Sequence, residues 1–241
     1  MKISEIFYSI QGEGKRSGIP SFFIRTNNCN LRCMFTGSNL CDTPYTSWTP
    51  DDNMNIGEMS VDQLVNEYKK YNVRDVVITG GEPAVQSEEL TLLCKELKSL
   101  NAYITIETNG TLFGDFVNYI DLLSISPKLS SSIPYNTKFE KMHTVNRINS
   151  EALIKFNELN QIGKFDIQWK FVFCNDNDIA EIKEIQDVAG FPDNKIYLMP
   201  EGINESDLNL RRSLTVEMCK KYGYNYTDRL HIIIWGGKRG V

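Results

Sequence analysis

Short apolar runs alternate along the chain with longer segments in which apolar residues recur every three or four positions. The runs are rich in Val, Ile and Phe, as buried strands are, and the longer segments have the period of amphipathic helices. The predicted strands are Ser21–Thr26, Asp75–Thr79, Tyr103–Thr108, Asp121–Ser126, Asp166–Phe173 and Lys195–Met199. The predicted helices are Ser60–Tyr71, Val85–Leu100, Phe113–Ile120, Asn149–Gln161, Asn177–Ala189 and Ser206–Tyr222.

This alternation predicts an α/β fold in which parallel strands are joined by helical crossovers. About six βα units are too few to close the eight-stranded barrel, so we expect a partial, open TIM-like barrel. Lys128–Asn146 has several Ser and no clear period and is expected to be a surface loop or lid. His231–Trp235 has the character of a final strand. We expect residues 1–241 to form a single domain.

The composition is that of a globular enzyme, with 41% hydrophobic and 24% charged residues among 241. No apolar run approaches the ~20 residues that cross a bilayer. The formal net charge of −5 argues against non-specific nucleic-acid binding, which depends on clustered Lys and Arg. We therefore expect a cytoplasmic protein that acts on a small molecule, with neither nucleic acid nor a membrane as its partner.

Three of the six cysteines, Cys29, Cys33 and Cys41, lie in a loop directly after the first predicted strand. Three thiolates can hold three irons of a four-iron cluster and leave the fourth iron open, whereas four cysteines are typical of electron transfer. The spacing alone leaves zinc binding or unligated cysteines equally open, although a zinc site usually has a fourth Cys or His. The other cysteines sit singly in apolar segments and are expected to be buried: Cys94, Cys174 and Cys219.

Most of the predicted strands end in polar or glycine-rich residues, and in parallel α/β folds this edge binds ligands. Besides the cysteine loop, the edge carries Thr79–Pro83, Glu107–Gly110, Ser126–Lys128 and Met199–Gly202. A single loop of this composition could simply form a turn between a strand and a helix. Five at the same edge predict a binding site there.

The cysteine loop together with Gly80-Gly81-Glu82-Pro83 resembles the radical S-adenosylmethionine (radical SAM) superfamily. Ile10 to Gly14, Cys41 to Tyr45 and the ending from Arg229 narrow the resemblance to the 7-carboxy-7-deazaguanine synthase family. It implies conversion of 6-carboxy-5,6,7,8-tetrahydropterin to 7-carboxy-7-deazaguanine with loss of ammonia, a step towards queuosine and other 7-deazapurines. It also implies a [4Fe-4S] cluster, S-adenosylmethionine and Mg²⁺ as cofactors, an electron donor such as flavodoxin or ferredoxin, and a homodimer.

The resemblance also implies roles for individual residues. Cys29, Cys33 and Cys41 would bind three irons, and Thr43 would bind Mg²⁺. The residues implied to bind S-adenosylmethionine are Leu40, Cys41, Asp42, Gly80, Gly81, Glu82, Ser126, Pro127, Lys128, Met199, Pro200, Glu201 and Gly202. Those implied to bind the pterin, from the N-terminal segment to the C-terminal tail, are Ile10, Gln11, Gly12, Glu13, Arg25, Thr79, His231 and Val241. No side chain is implied to be catalytic, because the cofactor carries the radical chemistry.

The cysteine spacing departs from the superfamily's usual C-x3-C-x2-C. Seven residues, Met34–Leu40, separate Cys33 from Cys41, and Leu40 takes the position usually held by an aromatic residue, for which Phe35 is a candidate substitute. We expect the extra residues to fold outside the iron-binding arc, over the adenine side. Two alternative functions stay open: an activase that makes a glycyl radical on a partner protein, and a non-enzymatic zinc-binding module.

Overall fold

The computed structural model describes residues 1–35 and 38–241. In this part of the chain nine strands form one sheet in the order β3-β1-β2-β4-β5-β6-β7-β8-β9. The strands are β1 (Lys2–Ile10), β2 (Pro20–Thr26), β3 (Gly57–Glu58), β4 (Asp75–Gly80), β5 (Tyr103–Thr108), β6 (Leu122–Ile125), β7 (Asp166–Phe173), β8 (Ile196–Pro200) and β9 (Asn225–Tyr226).

Seven α-helices lie in the described residues. They are α1 (Val61–Tyr68), α2 (Ser87–Ser99), α3 (Glu140–Asn146), α4 (Ser150–Gln161), α5 (Asp178–Ala189), α6 (Glu205–Tyr222) and α7 (Leu230–Trp235). Among them, α2, α4 and α6 pack directly on strands of the sheet. Helix α1 begins where the Ser60 side chain and Gln63 form a reciprocal capping box. None of the helices in the described ranges is long and apolar enough to cross a membrane.

The sheet is parallel from β2 to β9, and β1 runs antiparallel to both β2 and β3. Because β3 and β9 lie at opposite ends of the sheet order, the barrel is open. The expected open α/β barrel is therefore confirmed. The six predicted strands correspond to β2 and β4–β8, and β1, β3 and β9 add to them.

Two secondary-structure predictions for short apolar segments are wrong. Phe113–Ile120 contains only a short 3-10 turn, Asp115–Asn118, whose Phe116 is fully buried and which packs against α2. His231–Trp235 is part of the helix α7 rather than a strand. Short apolar runs of this kind have no periodicity that separates the two structures, so tertiary packing decides between them.

The prediction of a surface loop or lid over Lys128–Asn146 is correct only in part, since several of its residues are exposed but others are packed inside. The segment ends in α3, and it buries Ile133, Ser132 and His143, the last two completely. The buried positions include polar residues that hydrogen-bond to one another, so the segment has none of the apolar periodicity that marks a packed element.

The turn between β1 and β2 closes the amino end of the barrel. Gly14 N donates to Thr227 Oγ1 (2.6 Å), and Lys15 N donates to Gln168 Oε1 (2.9 Å). Gly14 has a φ of +69°, and a Cβ there would lie 2.2 Å from Gln168 Nε2, so the close approach requires glycine. Ion pairs to the first residues of two strands hold the same turn: Lys15–Asp166 and Arg16–Asp75. Because this turn closes the amino end, a binding site is expected at the carboxyl end of the strands.

Candidate functional site

A cavity of about 770 Å³ lies at the carboxyl ends of the parallel strands and extends into the barrel. Its volume is in the range of small-molecule sites. Most residues predicted from the sequence line it: Ile10, Gln11, Gly12, Glu13, Arg25, Cys29, Cys33, Leu40, Cys41, Asp42, Thr43, Thr79, Gly80, Gly81, Ser126, Lys128, Met199, Glu201, Gly202, His231 and Val241. Three predicted residues are not among the lining residues: Glu82, Pro127 and Pro200.

The cysteine loop forms one wall of this cavity. Cys41 N donates to Cys33 O (3.2 Å), and Met34 and Leu40 form an isolated antiparallel bridge. These contacts bring Cys33 and Cys41 together at the base of the insertion, although seven residues separate them. The long spacing is therefore compatible with three cysteines on one arc. Thr36 and Gly37, the middle of the insertion, lie outside the described residues.

The described part of the insertion faces the loop after β8. Asn39 Nδ2 donates to Glu201 Oε1 (3.1 Å), and Phe35 lines the cavity. The family resemblance implies that this loop, which includes Glu201, flanks the adenine of S-adenosylmethionine. The placement of the insertion over the adenine side remains a prediction, and this contact supports it.

At all three cysteines burial makes a free thiolate unfavourable, whereas a thiolate bound to a metal cluster would be stabilised. Burial raises the pKa of Cys29 to about 12, and it also raises the pKa of Cys33 and of Cys41. A bound metal reverses such a penalty, because its charge stabilises the thiolate. No three His, Cys, Asp or Glu groups of residues 1–35 and 38–241 converge as ligands of one ion would. Thiolates that bind three different irons do not have to meet at one point, and the three cysteines line the same cavity, as ligands of one [4Fe-4S] cluster would.

The glycine loop after β4 packs directly under the cysteine loop. Gly80 has a φ of +136°, and a Cβ there would lie 2.2 Å from Thr26 O. A Cβ on Gly81 would lie 2.1 Å from Asn28 O. Any side chain at these positions would push the two loops apart, so both glycines are required for the close approach.

Glu82 ties this loop to the next one instead of lining the cavity. Its fully buried carboxylate accepts hydrogen bonds from Thr108 Oγ1 (2.7 Å), Asn109 N (2.6 Å) and Ala84 N (3.0 Å). Burial raises the pKa of Glu82 in spite of these donors. Glu82 therefore supports the loops after β4 and β5.

A network of largely buried charged groups lines the barrel side of the cavity. Lys170 Nζ lies 2.5 Å from Glu13 and 3.6 Å from Glu107. Glu107 also accepts hydrogen bonds from Gln11 Nε2 (3.1 Å) and Thr79 Oγ1 (2.8 Å). Burial opposes charge on both Glu13 and Lys170, but their opposite charges outweigh it, so the pKa of Glu13 is lowered and the pKa of Lys170 is raised. Both groups are ionised at neutral pH.

Arg229 connects this network to the cysteine loop. Its guanidinium forms ion pairs with Asp42 and with Glu13, the latter at 3.3 Å. Its Nη1 also donates to Gly202 O (2.6 Å), in the loop after β8. One side chain thus joins the residues predicted for the cofactor and those predicted for the pterin.

Arg25 already has a protein partner in the structure. Its Nε donates to Glu5 Oε2 (2.7 Å), and Glu5 also accepts hydrogen bonds from Tyr45 Oη and Arg239 Nε, both at 2.9 Å. The Arg239 guanidinium lies 3.6 Å from the centre of the Tyr45 ring. Glu5 therefore orients Arg25 and at the same time attaches the C-terminal tail to β1.

Sequence reasoning assigned no role to several charged or polar residues that line the cavity: Glu5, Tyr45, Glu107, Lys170, Arg229 and Arg239. A signal existed for Lys170, which is a charged residue between two large apolar ones, Trp169 and Phe171, in the middle of a predicted strand. Charged residues are almost never fully buried unless they are paired, so such a position indicates a buried ion pair or a site.

Comparisons with known proteins agree with this geometry. The family model of the Radical SAM superfamily matches residues 23–148. A 7-carboxy-7-deazaguanine synthase of Halobacterium salinarum is 38% identical over 98% of this chain and 90% of the relative, and one of Rhodopirellula baltica is 37% identical over 99% and 88%. The crystal structure of QueE from Escherichia coli has the same fold, with a TM-score of 0.66, 24% identity and coverage of 95% of this chain and 94% of that one.

A partial barrel with a three-cysteine loop at its mouth defines the class of radical SAM proteins. The chain belongs to this superfamily and, within it, to the 7-carboxy-7-deazaguanine synthase family.

Proposed function

We propose that the protein is a radical SAM lyase that converts 6-carboxy-5,6,7,8-tetrahydropterin to 7-carboxy-7-deazaguanine with loss of ammonia, in the biosynthesis of queuosine and other 7-deazapurines. The observation that carries the proposal is that the cysteine arc, the glycine loop and the buried network around Glu107 line one cavity. The relatives that match nearly the whole chain are named for this product.

The cavity has two chemically different sides. Cys29, Cys33 and Cys41 would hold the [4Fe-4S] cluster, and the glycine loop allows S-adenosylmethionine to approach the backbone. When bound, the cluster and S-adenosylmethionine supply the radical that starts the reaction. The protein's part is to place the substrate next to them and to exclude water.

The barrel side suits a pterin. The carboxylate oxygens of Glu13 and Glu107 are acceptors for the N–H donors of the ring edge, and Gln11 offers both a donor and an acceptor. Arg25 would bind the substrate carboxylate through its terminal nitrogens, since Glu5 already occupies Nε. The network holds these groups in fixed positions before the substrate arrives, which lowers the entropy lost in the reaction.

Further parts of the proposal concern groups outside the chain. Thr43, whose side chain lines the cavity beside Cys41, would bind a Mg²⁺ that also contacts substrate oxygen. The electron donor would be a flavodoxin or ferredoxin, and the enzyme a homodimer in which residues 1–241 form one domain. Cluster thiolates require a reducing compartment, so we place the protein in the cytoplasm.

The test is anaerobic reconstitution with iron and sulfide, followed by incubation with S-adenosylmethionine and carboxytetrahydropterin. We expect one four-iron cluster per chain, cleavage of S-adenosylmethionine and formation of 7-carboxy-7-deazaguanine. Cys→Ala at position 29, 33 or 41 should abolish all three. The matched controls are Cys→Ala at the buried positions 94, 174 and 219, which should leave them intact.

Two results would overturn the proposal. A chain that binds zinc stoichiometrically and never iron would be a zinc-binding module. A reconstituted enzyme that cleaves S-adenosylmethionine but never converts the pterin would favour the activase, which shares the cysteines and Gly80-Gly81-Glu82-Pro83 but does not need Gln11 or Arg25.

A further inference from the structure

The segment between β6 and α4 supports the cysteine loop from the side away from the cavity. We call residues 129–143 the brace. Met34 N donates to Ser132 O (3.0 Å), and Arg32 N donates to His143 Nδ1 (3.2 Å). These two amides belong to the residues on either side of Cys33. The brace therefore holds the backbone of an iron ligand at both of its flanks.

His143 is fully buried, and its hydrogen bonds define one tautomer. The Arg32 amide requires a lone pair on Nδ1, so the ring proton is on Nε2, which donates to Ser132 Oγ (3.1 Å). The Ser132 hydroxyl in turn donates to Leu129 O (2.6 Å). Each donor in this series has an acceptor, so the imidazole is locked in one orientation and presents Nδ1 to the cysteine loop.

The hydrogen bond from Arg32 N to His143 also affects a hydrogen bond to the sulfur of Cys29. Leu31 N donates to Cys29 Sγ (3.4 Å), while the next amide, Arg32 N, donates to His143. Consecutive amides thus point in different directions, one to the ligand and one to the brace. Hydrogen bonds to cluster sulfurs are among the factors that set the reduction potential. Since they favour the more negative reduced state, loss of such a bond lowers the potential.

We infer that His143 is a positioning residue of the cluster site, which holds the turn from Cys29 to Cys33 in ligating geometry and keeps the Leu31 amide on the Cys29 sulfur. The inference rests on the proposed function, because it concerns the same cluster. The neutral ring acts only as an acceptor and a donor of hydrogen bonds, and no proton or electron passes through it.

The test compares two substitutions at one position. His143→Leu keeps a similar volume but leaves the Arg32 amide buried without an acceptor, which is costly. His143→Asn keeps an oxygen near the position of Nδ1 and should rescue the loop. The matched control is Val145→Ala, on the same helix at a residue that is 69% exposed.

Two readouts do not depend on turnover. In the cluster-free chain, amide hydrogen exchange over residues 30–34 should be roughly tenfold or more faster in His143→Leu, as loss of a buried hydrogen bond implies. In the reconstituted protein, the midpoint potential followed by electron paramagnetic resonance should shift to more negative values. His143→Asn should lie close to the wild type in both, and Val145→Ala should match it.

The two proposals fail in distinguishable ways. A wild type that never binds iron overturns the proposed function. A wild type that binds the cluster, with His143→Leu equal to it in exchange and potential, overturns the role of His143. If His143→Leu does not fold, Ser132→Ala replaces it, because it keeps the imidazole and removes its Nε2 partner together with the bond of that hydroxyl to Leu129 O. Ser132→Ala should shift amide exchange and midpoint potential in the same direction as His143→Leu, by a smaller amount. Wild-type values of both quantities in Ser132→Ala would overturn the inference.

Discussion

At the scale of single residues, Arg25 tests the identity of the substrate. Arg25→Lys keeps the charge but loses the planar fork, so it is not a conservative change. A bidentate contact to a carboxylate contributes about 1.5–3 kcal/mol, and we therefore expect pterin binding to weaken by roughly ten- to a hundredfold. Titration of reconstituted enzyme with carboxytetrahydropterin measures the change, and cluster content should persist.

The control for this change is Arg74→Lys at an exposed position. Unchanged pterin affinity in Arg25→Ala would remove Arg25 from the binding site. Loss of the cluster instead would show that the Glu5–Arg25 pair supports the neighbouring cysteine loop rather than the substrate.

The ion pair of Glu13 with Lys170 predicts how the free energy of unfolding depends on pH. Glu13→Gln leaves the buried Lys170 without its nearest carboxylate and should lower the free energy of unfolding by on the order of 3 kcal/mol at pH 7. Because the pKa of Glu13 is lowered in the folded state, its contribution is complete above the unfolded pKa of about 4.3. It is lost as the pH falls below that value towards the folded pKa.

Urea unfolding of the cluster-free chain at several pH values between 7 and 3.5 checks this dependence. The stability difference between the wild type and Glu13→Gln should be constant down to about pH 5 and then shrink. Glu184→Gln, at an exposed position, should show no such trend. A difference that grows on acidification would mean that Glu13 is protonated in the folded protein.

At this scale the sequence predicts motif residues well and network residues poorly. Cys29 and Gly80 stand in patterns whose chemistry is local, and the structure places both on the cavity wall. Lys170 acquires its environment only when the barrel brings β7 close to Glu13 in the β1–β2 turn and to Glu107 on β5. Such a partnership has no signature in sequence spacing.

At the scale of elements, the insertion in the cysteine loop is a separable unit. Deleting residues 35–39 would join Met34 to Leu40, which already face each other, and the Cys41 amide could keep its bond to Cys33 O. We expect the shortened loop to bind the cluster in full. Loss of the Asn39–Glu201 hydrogen bond and of Phe35 should weaken S-adenosylmethionine binding, so activity should not improve.

Iron content and the KM for S-adenosylmethionine measure the two expected effects separately. A variant with a full cluster and faster turnover than the wild type would show that the insertion is incidental or inhibitory. A variant that cannot bind iron would mean that the insertion shapes the arc itself.

Strands with buried apolar residues at every second position were predictable, and segments that are buried through polar groups were not. Tyr103–Thr108 and Asp166–Phe173 match β5 and β7 because buried apolar residues recur at every second position there, as Ile104 and Ile106 do in β5 and Trp169 and Phe171 do in β7. Strand β1 was not predicted, since Glu5 on it lines the cavity and interrupts the apolar pattern. The brace was assigned to the surface for a similar reason, because Ser132 and His143 are buried through hydrogen bonds.

At the scale of the whole molecule, the C-terminal tail lines the cavity and is attached to β1 through Arg239 and Glu5. Removal of residues 239–241 deletes the Arg239–Glu5 ion pair and the stacking of Arg239 on Tyr45. We expect the cluster and uncoupled cleavage of S-adenosylmethionine to persist. Conversion of the pterin should fall by roughly ten- to a hundredfold, because the substrate is held less firmly.

The comparison of product formed with S-adenosylmethionine consumed measures this uncoupling. Arg239→Lys keeps the tail and a positive charge near Glu5, so its effect should be smaller than that of the truncation. Full coupling in the truncated enzyme would show that the tail is not part of the substrate site.

The turn that seals the amino end of the barrel has a consequence for how the protein folds. Gly14 bonds to Thr227 and Arg239 bonds to Glu5, contacts that span 213 and 234 positions. Contacts between such distant segments form late and slowly. During synthesis on the ribosome the cysteine loop therefore emerges long before its enclosure is complete. Its thiols are exposed to oxidants over that interval, so the yield of active enzyme should depend on the oxygen present during expression.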